Sequence, residues 1–187
     1  MKKYKMNNKQ TIKQILKEGT EDTITRIAVF DFDGTLINTP MPDTGKAEYK
    51  EKTGNDWPYM GWWGRGESLD MDIFDMPIIP SVKAAYEKER KDPHTLVIML
   101  TGRLPKHHDL VKKILDSKGF RFDKYEYNNG GSTLHSKINT LETLLSEYPN
   151  VKSLAMWDDR LEHIDAFKAW GDSLKGIDYH ITVVDGQ

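Results

Sequence analysis

The sequence predicts an α/β fold: a parallel sheet of about five strands covered by helices on both faces. Two observations carry this. Short, continuously apolar runs recur along the chain, each too short for a helix, and stretches of helical periodicity stand between them. Three of these runs also stop abruptly at polar residues, the place where open α/β sheets bind ligands.

Thr25 to Asp31 (TRIAVFD) reads as the first buried strand and TLVIMLT, Thr95 to Thr101, as the second. Ser81 to Lys91 between them is helical in pattern. Pro105 starts a helix running to about Lys118, and Phe122 to Tyr127 offers a third strand. Ser136 to Tyr148 places Ile138, Leu141, Leu144 and Leu145 on one helical face. Val151 to Trp157 is a fourth strand, Leu161 to Trp170 a helix and Tyr179 to Val184 a fifth strand. Residues 38–80 break this rhythm. Their Pro, Gly, Trp and Met content, as in DWPYMGWWGRG, predicts an inserted flap after the first strand. The expected organisation is a basic lead-in over residues 1–22 and one domain over residues 23–187. Ile12, Ile15 and Leu16 in the lead-in allow a short amphipathic helix, read as a solvated face or a phosphate-backbone contact arm.

Composition narrows the function. The 187 residues suffice for one well-buried core, and no apolar run approaches the roughly 20 residues that span a bilayer. The opening MKKYKMNNKQ lacks the apolar stretch of a secretory signal. With zero cysteines, which excludes disulfides and thiolate metal sites, a cytoplasmic address is expected and any metal must use oxygen or histidine ligands. A formal net charge of −2 disfavours stable binding of duplex DNA.

The chemistry lies after the strands. Asp31-Phe32-Asp33-Gly34-Thr35 follows the first, Thr101-Gly102-Arg103 the second and Asp158-Asp159-Arg160 the fourth, while Lys137 opens the helix after the third. If strand geometry persists, Asp31 and Asp33 point the same way, and Gly34 permits a sharp turn. One carboxylate can attack phosphorus while the other protonates the leaving oxygen and later activates water. The D-x-D-G opening also begins a calcium loop, but that loop needs a preceding helix and a glutamate at its twelfth position, where Pro42 stands. A solvated acidic turn remains a competing reading. Thr101 offers a hydroxyl and an amide to a phosphoryl oxygen, and Arg103 a guanidinium fork. Lys137 supplies a point charge for phosphate and for Asp31. Asp158 and Asp159 are hard oxygen ligands for magnesium, or a cap for the next helix.

Taken in order, these residues resemble the four motifs of the haloacid dehalogenase (HAD) superfamily, over roughly residues 25–170. The resemblance implies a Rossmann-like sheet, Asp31 as nucleophile, Asp33 as general acid/base, and Thr101 and Lys137 in the catalytic set. It also implies Mg2+ on Asp31, the Asp33 carbonyl, Asp158 and Asp159, with phosphatase rather than dehalogenase chemistry because of Asp33. DFDGTLINTP, Trp62-Trp63, LTGR, Thr133-x-x-x-Lys137 and WDDRLEHIDAF further resemble the HAD domain of Swiss Army Knife RNA repair proteins, although Ser136 replaces the aromatic usual before the lysine. That likeness implies a phosphorylated substrate such as a nucleotide or a single-stranded nucleic-acid end. Candidate substrate-binding residues are Gly34, Thr35, Gly102, Arg103, Trp62, Trp63, Arg160 and His163. Trp62 and Trp63 either stack on a base or form a small core under the flap.

Overall fold

The computed structural model describes residues 23–185; the helix expected around Ile12 to Leu16 lies outside them. Five parallel strands form one sheet: β1 (Arg26–Phe30), β2 (Thr95–Leu100), β3 (Lys124–Glu126), β4 (Ser153–Asp158) and β5 (Asp178–Val183), in the order β3-β2-β1-β4-β5. This is the Rossmann-like α/β architecture. Five helices accompany it: α1 (Pro42–Thr53), α2 (Pro80–Glu89), α3 (His108–Ser117), α4 (Thr133–Glu147) and α5 (Leu161–Ser173). Among the described residues no helix is long and apolar enough to cross a membrane.

Alternation along β1 builds two cores. Ala28 and Phe30 face one side, where Val82 and Tyr86 of α2, Ile114 and Leu115 of α3 and the flap pack. Ile27 and Val29 face the other, against Leu141 and Leu144 of α4 and Ile164 and Phe167 of α5. Central strands buried on both faces must be apolar throughout, which explains the legibility of IAVF and LVIML in the sequence.

The helix bounds depart from expectation in two places. Pro105 opens a short 3-10 turn (Pro105–His107) rather than α3 itself, and α4 begins at Thr133, so Lys137 sits in its second turn instead of opening it. The flap contains an unforeseen helix, α1. It carries Pro42 at its start and Gly54 in the left-handed conformation at its end, but its exposed, charged sequence has no apolar stripe to reveal it.

The flap leaves and rejoins the sheet at one point. Ile37 and Ile78 form an antiparallel bridge there, and the Asn38 amide donates to the Pro77 carbonyl at 2.9 Å. Inside the flap Trp62 is 4% exposed, its ring centroid 4.7 Å from that of Trp57 and 5.5 Å from that of Phe74, and its indole N–H donates to the Pro40 carbonyl at 2.9 Å. The expectation that Trp62 offers a stacking face to substrate is therefore corrected: that face is covered by the flap's own core. Trp62 lies against α1 at Gly45, where an added Cβ would stand 2.3 Å from the ring.

Gly45→Ala consequently sets two effects in opposition. Better helix propensity favours alanine by about 0.8–1 kcal/mol, whereas overpacking costs about 1–3 kcal/mol. The variant is expected to be destabilised by on the order of 1 kcal/mol in urea unfolding, with altered tryptophan fluorescence. Unchanged stability and fluorescence would contradict this account of the flap.

Candidate active site

Strands β1 and β4 are neighbours, with Phe30 in register with Trp157. The Asp31 amide donates to the Trp157 carbonyl at 3.0 Å, so Asp31 and Asp158 emerge side by side from the carboxyl edge of the sheet. From α4, the Lys137 ammonium lies 2.9 Å from Asp31 Oδ1 and 2.6 Å from Asp158 Oδ2. All three side chains are buried. The other Asp158 oxygen accepts from the Arg160 amide at 3.0 Å.

Asp159 completes a carboxylate cluster: one oxygen each from Asp31, Asp158 and Asp159 lie within 4.8 Å of one another. A magnesium ion with octahedral oxygens at about 2.0–2.1 Å places opposite ligands about 4.2 Å apart, so these residues suit a small hard cation after minor adjustment. The charge balance points the same way, since three carboxylates share one ammonium. Burial, only partly opposed by Lys137 and reinforced by Asp158 and Asp159, pushes Asp31 up to about 8. Burial and then Asp158 push Asp159 up to about 6. Burial alone would lower Lys137, but Asp31 and Asp158 outweigh it and hold its pKa above the ordinary lysine value. Gly34 is required beneath this cluster: its φ is +68°, and an added Cβ would stand 2.2 Å from Asp159 Oδ2.

Arg103 closes on Asp33, not on an open phosphate site. Its Nε donates to Asp33 Oδ2 at 2.9 Å, its Nη2 to Oδ1 at 2.8 Å and its Nη1 to the Ser68 hydroxyl at 2.9 Å. The Thr39 hydroxyl donates to Asp33 Oδ1 at 2.7 Å, and the Trp63 ring lies 5.3 Å from the guanidinium. The fork expected to grip phosphate is thus committed to a carboxylate, within a bidentate pair whose guanidinium is buried and whose carboxylate is half-buried.

A cavity of about 120 Å³ opens among Asp31, Asp33, Trp63, Gly102, Arg103, Lys137, Arg160 and Thr133. Other predicted residues stand apart from it. Thr101 is buried beside the cavity, with its amide donating to the Glu126 carbonyl at 3.0 Å and its hydroxyl oxygen accepting from the Arg103 amide at 3.1 Å. Its amide is therefore spent on the sheet edge, contrary to the expectation that it serves phosphate. Thr35 is fully buried, its hydroxyl without a partner among the described residues. His163 packs on Phe167, its pKa lowered by burial and then by Arg160, and does not line the cavity. Thr39, Ser68 and Thr133 escaped selection from sequence. Thr39 and Thr133 stand inside motifs that carry the family resemblance, DFDGTLINTP and Thr133-x-x-x-Lys137, whereas Ser68 carries no signal.

A profile of the HAD domain family 1 in Swiss Army Knife RNA repair proteins matches residues 53–185. The chain belongs to that family. An uncharacterized protein of Saccharomyces cerevisiae is 31% identical over 183 residues, a match covering 84% of this chain and 39% of that protein, so the HAD chain spans about two fifths of its yeast relative. Two solved structures share the HAD fold. One belongs to the Pnkp1/Rnl/Hen1 complex (TM-score 0.54, 14% identity, 86% of this chain and 46% of that one). The other is an archaeal beta-phosphoglucomutase from Pyrococcus sp. strain ST 04 (TM-score 0.50, 15% identity, 83% of this chain and 92% of that one).

The carboxylate cluster predicts a stability of the HAD domain that depends on pH and cation together. Unfolded aspartates ionise near 3.8, whereas Asp31 and Asp159 in the folded protein retain protons to about 8 and about 6. The folded state binds more protons across this window, so these groups' contribution to stability declines as pH rises from about 4 to about 8. In chelator, Tm is expected to fall across that range; magnesium should reduce the fall and bind more tightly at the upper end. Equal magnesium-induced shifts in Tm throughout the range would count against the cluster as the cation site.

Proposed function

We propose that this HAD domain is a magnesium-dependent phosphomonoesterase that forms an aspartyl-phosphate on Asp31 and acts on nucleotide or nucleic-acid phosphate ends. The observation that carries the reading is the Lys137 ammonium between Asp31 and Asp158, at the mouth of a cavity that also holds Asp33. Residues 23–187 act in this reading as one unit, with the flap at 38–80 as a small cover, leaving the site open to a bulky substrate.

Asp31 attacks phosphorus through a carboxylate oxygen, and the bond to the leaving oxygen breaks. Asp33, protonated after one of its oxygens leaves the Arg103 fork, gives the leaving oxygen that proton. Asp33 then takes a proton from a water molecule that attacks the phosphorus of the acylphosphate, releasing phosphate and restoring Asp31. Lys137 opposes the burial that raises Asp31, so that with a bound cation beside it Asp31 reacts as the carboxylate, and it offsets charge on the phosphoryl oxygens. The Thr101 hydroxyl proton, the Thr133 hydroxyl and Arg160 complete the proposed phosphate contacts. Arg103 acts at one remove, as a positioning residue that sets Asp33 in line with the leaving oxygen. Asp31, Asp158, Asp159 and the Asp33 carbonyl would hold Mg2+, which when bound offsets carboxylate charge and orients a phosphoryl oxygen. The nucleic-acid preference draws support from the RNA repair family, from a neighbour described as a Pnkp1/Rnl/Hen1 complex and from Trp63 on the cavity wall.

Phosphate release from nucleotides, phosphorylated RNA and DNA ends, phosphopeptides and sugar phosphates tests the proposal. Activity is expected to require magnesium, to vanish in Asp31→Asn and to favour nucleic-acid ends. A phosphorylated acceptor in place of free phosphate would reassign the domain as a phosphotransferase, and inactivity of folded protein on every substrate would favour a phosphate-binding module. Arg103→Lys, which cannot reproduce the bidentate fork, is expected to lower kcat by about 10²-fold with a smaller change in KM, in keeping with impaired acid–base catalysis. A pure KM effect would instead place Arg103 on the substrate.

A further inference from the structure

Beyond the phosphate cavity the flap and α3 enclose a second and larger space, a cleft of about 620 Å³. Pockets for small organic ligands run from about 300 to 1,000 Å³, so its size suits a nucleoside and exceeds what a phosphoryl group needs. The two spaces share a wall. Trp63 lines the phosphate cavity and the next residues, Gly64 and Arg65, line the cleft; Arg103, on the cavity side, donates to Ser68 in the 3-10 turn Gly66–Leu69 that faces the cleft.

The cleft's chemistry is divided. Leu69, Leu110 and Ile114 give it apolar surface, the flap wall carries Arg65 with the carboxylates of Glu67 and Asp70, and Lys106 and Lys113, both exposed, bring cations from the opposite side to the flap. Neither lysine has an ion pair among the described residues within 4.0 Å. His107 also lines the cleft, at 4% exposure, and its Nε2 has no hydrogen-bond partner among the described residues. Burial and then nearby Arg103 and Lys106 lower its pKa, so it presents a neutral imidazole. Apolar surface for a base and two cations, unpaired among the described residues, for a phosphodiester together suit a nucleotide unit, with the Glu67 and Asp70 carboxylates on the flap wall directing its phosphate to the lysine side.

Building on the phosphoesterase reading above, we propose that this cleft is the subsite for the nucleoside next to the reacting phosphate, with Lys106 and Lys113 holding the following phosphodiester of a single strand. The leaving group then contributes its own binding free energy, and the domain selects oligonucleotide ends over mononucleotides and sugar phosphates.

Binding of fluorescent single-stranded oligonucleotides phosphorylated at the 5′ or the 3′ end, measured by anisotropy in chelator to prevent turnover, tests this in the intact protein. Affinity is expected to step up from a mononucleotide to a dinucleotide and to fall about tenfold or more in Lys106→Glu/Lys113→Glu, two exposed positions at which folding is preserved. Removing the contact to that one phosphodiester of a single strand should reduce the slope of log K against log salt by about 0.7. A milder Leu110→Ala variant should weaken binding without altering that slope. In parallel, the ratio of kcat/KM on an oligonucleotide end to that on an aryl phosphate should fall about tenfold in the double-lysine variant. If wild type hydrolyses both substrates while affinity, salt slope and ratio stay unchanged in the variant, the cleft assignment falls and the phosphoesterase reading stands. If wild type binds as expected but releases no phosphate, the catalytic reading falls and the binding site stands. Absence of oligonucleotide binding in folded wild-type protein overturns the cleft assignment directly.

Discussion

One buried ammonium organises the candidate site. Lys137 reaches two carboxylates from two adjacent central strands, and each of the three groups would be expensive to bury alone. The lysine is supplied by α4, whose Leu141 and Leu144 anchor it on the sheet face shared with Ile27 and Val29. Removing the charge would therefore leave two carboxylates in a dry pocket, with Asp159 adding a third close by. Burial first, and then the excess of negative over positive charge, raise the proton affinities there, and the same excess suits a cation.

A second ion pair ties the flap to the chemistry. Arg103 follows β2, while its partners come from the loop after β1 and from the flap: Asp33, Ser68 and the face of Trp63. Moving the flap would disturb the same guanidinium that holds Asp33, so the flap and this carboxylate are mechanically linked. The aromatic cluster behind Trp63 gives the flap a core of its own, with Trp57, Trp62 and Phe74 packed against α1 and the N–H of Trp62 satisfied by Pro40. Trp63 is left to meet the cavity.

The legible parts of the chain obey local physics. Buried parallel strands must be apolar along their whole length, so β1, β2 and β4 announce themselves, and the polar residues that end them mark the ligand edge. Helix α1 is hidden because a mostly exposed helix needs no apolar stripe, and the first turn of α4 is hidden because Thr133, His135 and Ser136 leave Leu134 as its single apolar residue, its helical state depending on docking beside Gly102. Adjacent tryptophans cannot be told apart by composition. Which one is buried depends on the path of the flap relative to Gly45.

By itself, then, the sequence determined the α/β class, the strand ends and the acidic and basic residues available there, because these follow from hydrophobic periodicity and from the chemistry of single side chains. Only the tertiary structure decided the partners. It joined Lys137 to Asp31 and Asp158 across 106 and 21 residues of chain, respectively, and paired Arg103 with Asp33 rather than leaving its fork open. Charges are inherited from residue identity, but pairing is settled by which strands lie side by side and which loops fold over them. That information is distributed over the packing of the whole sheet and is written in no single motif.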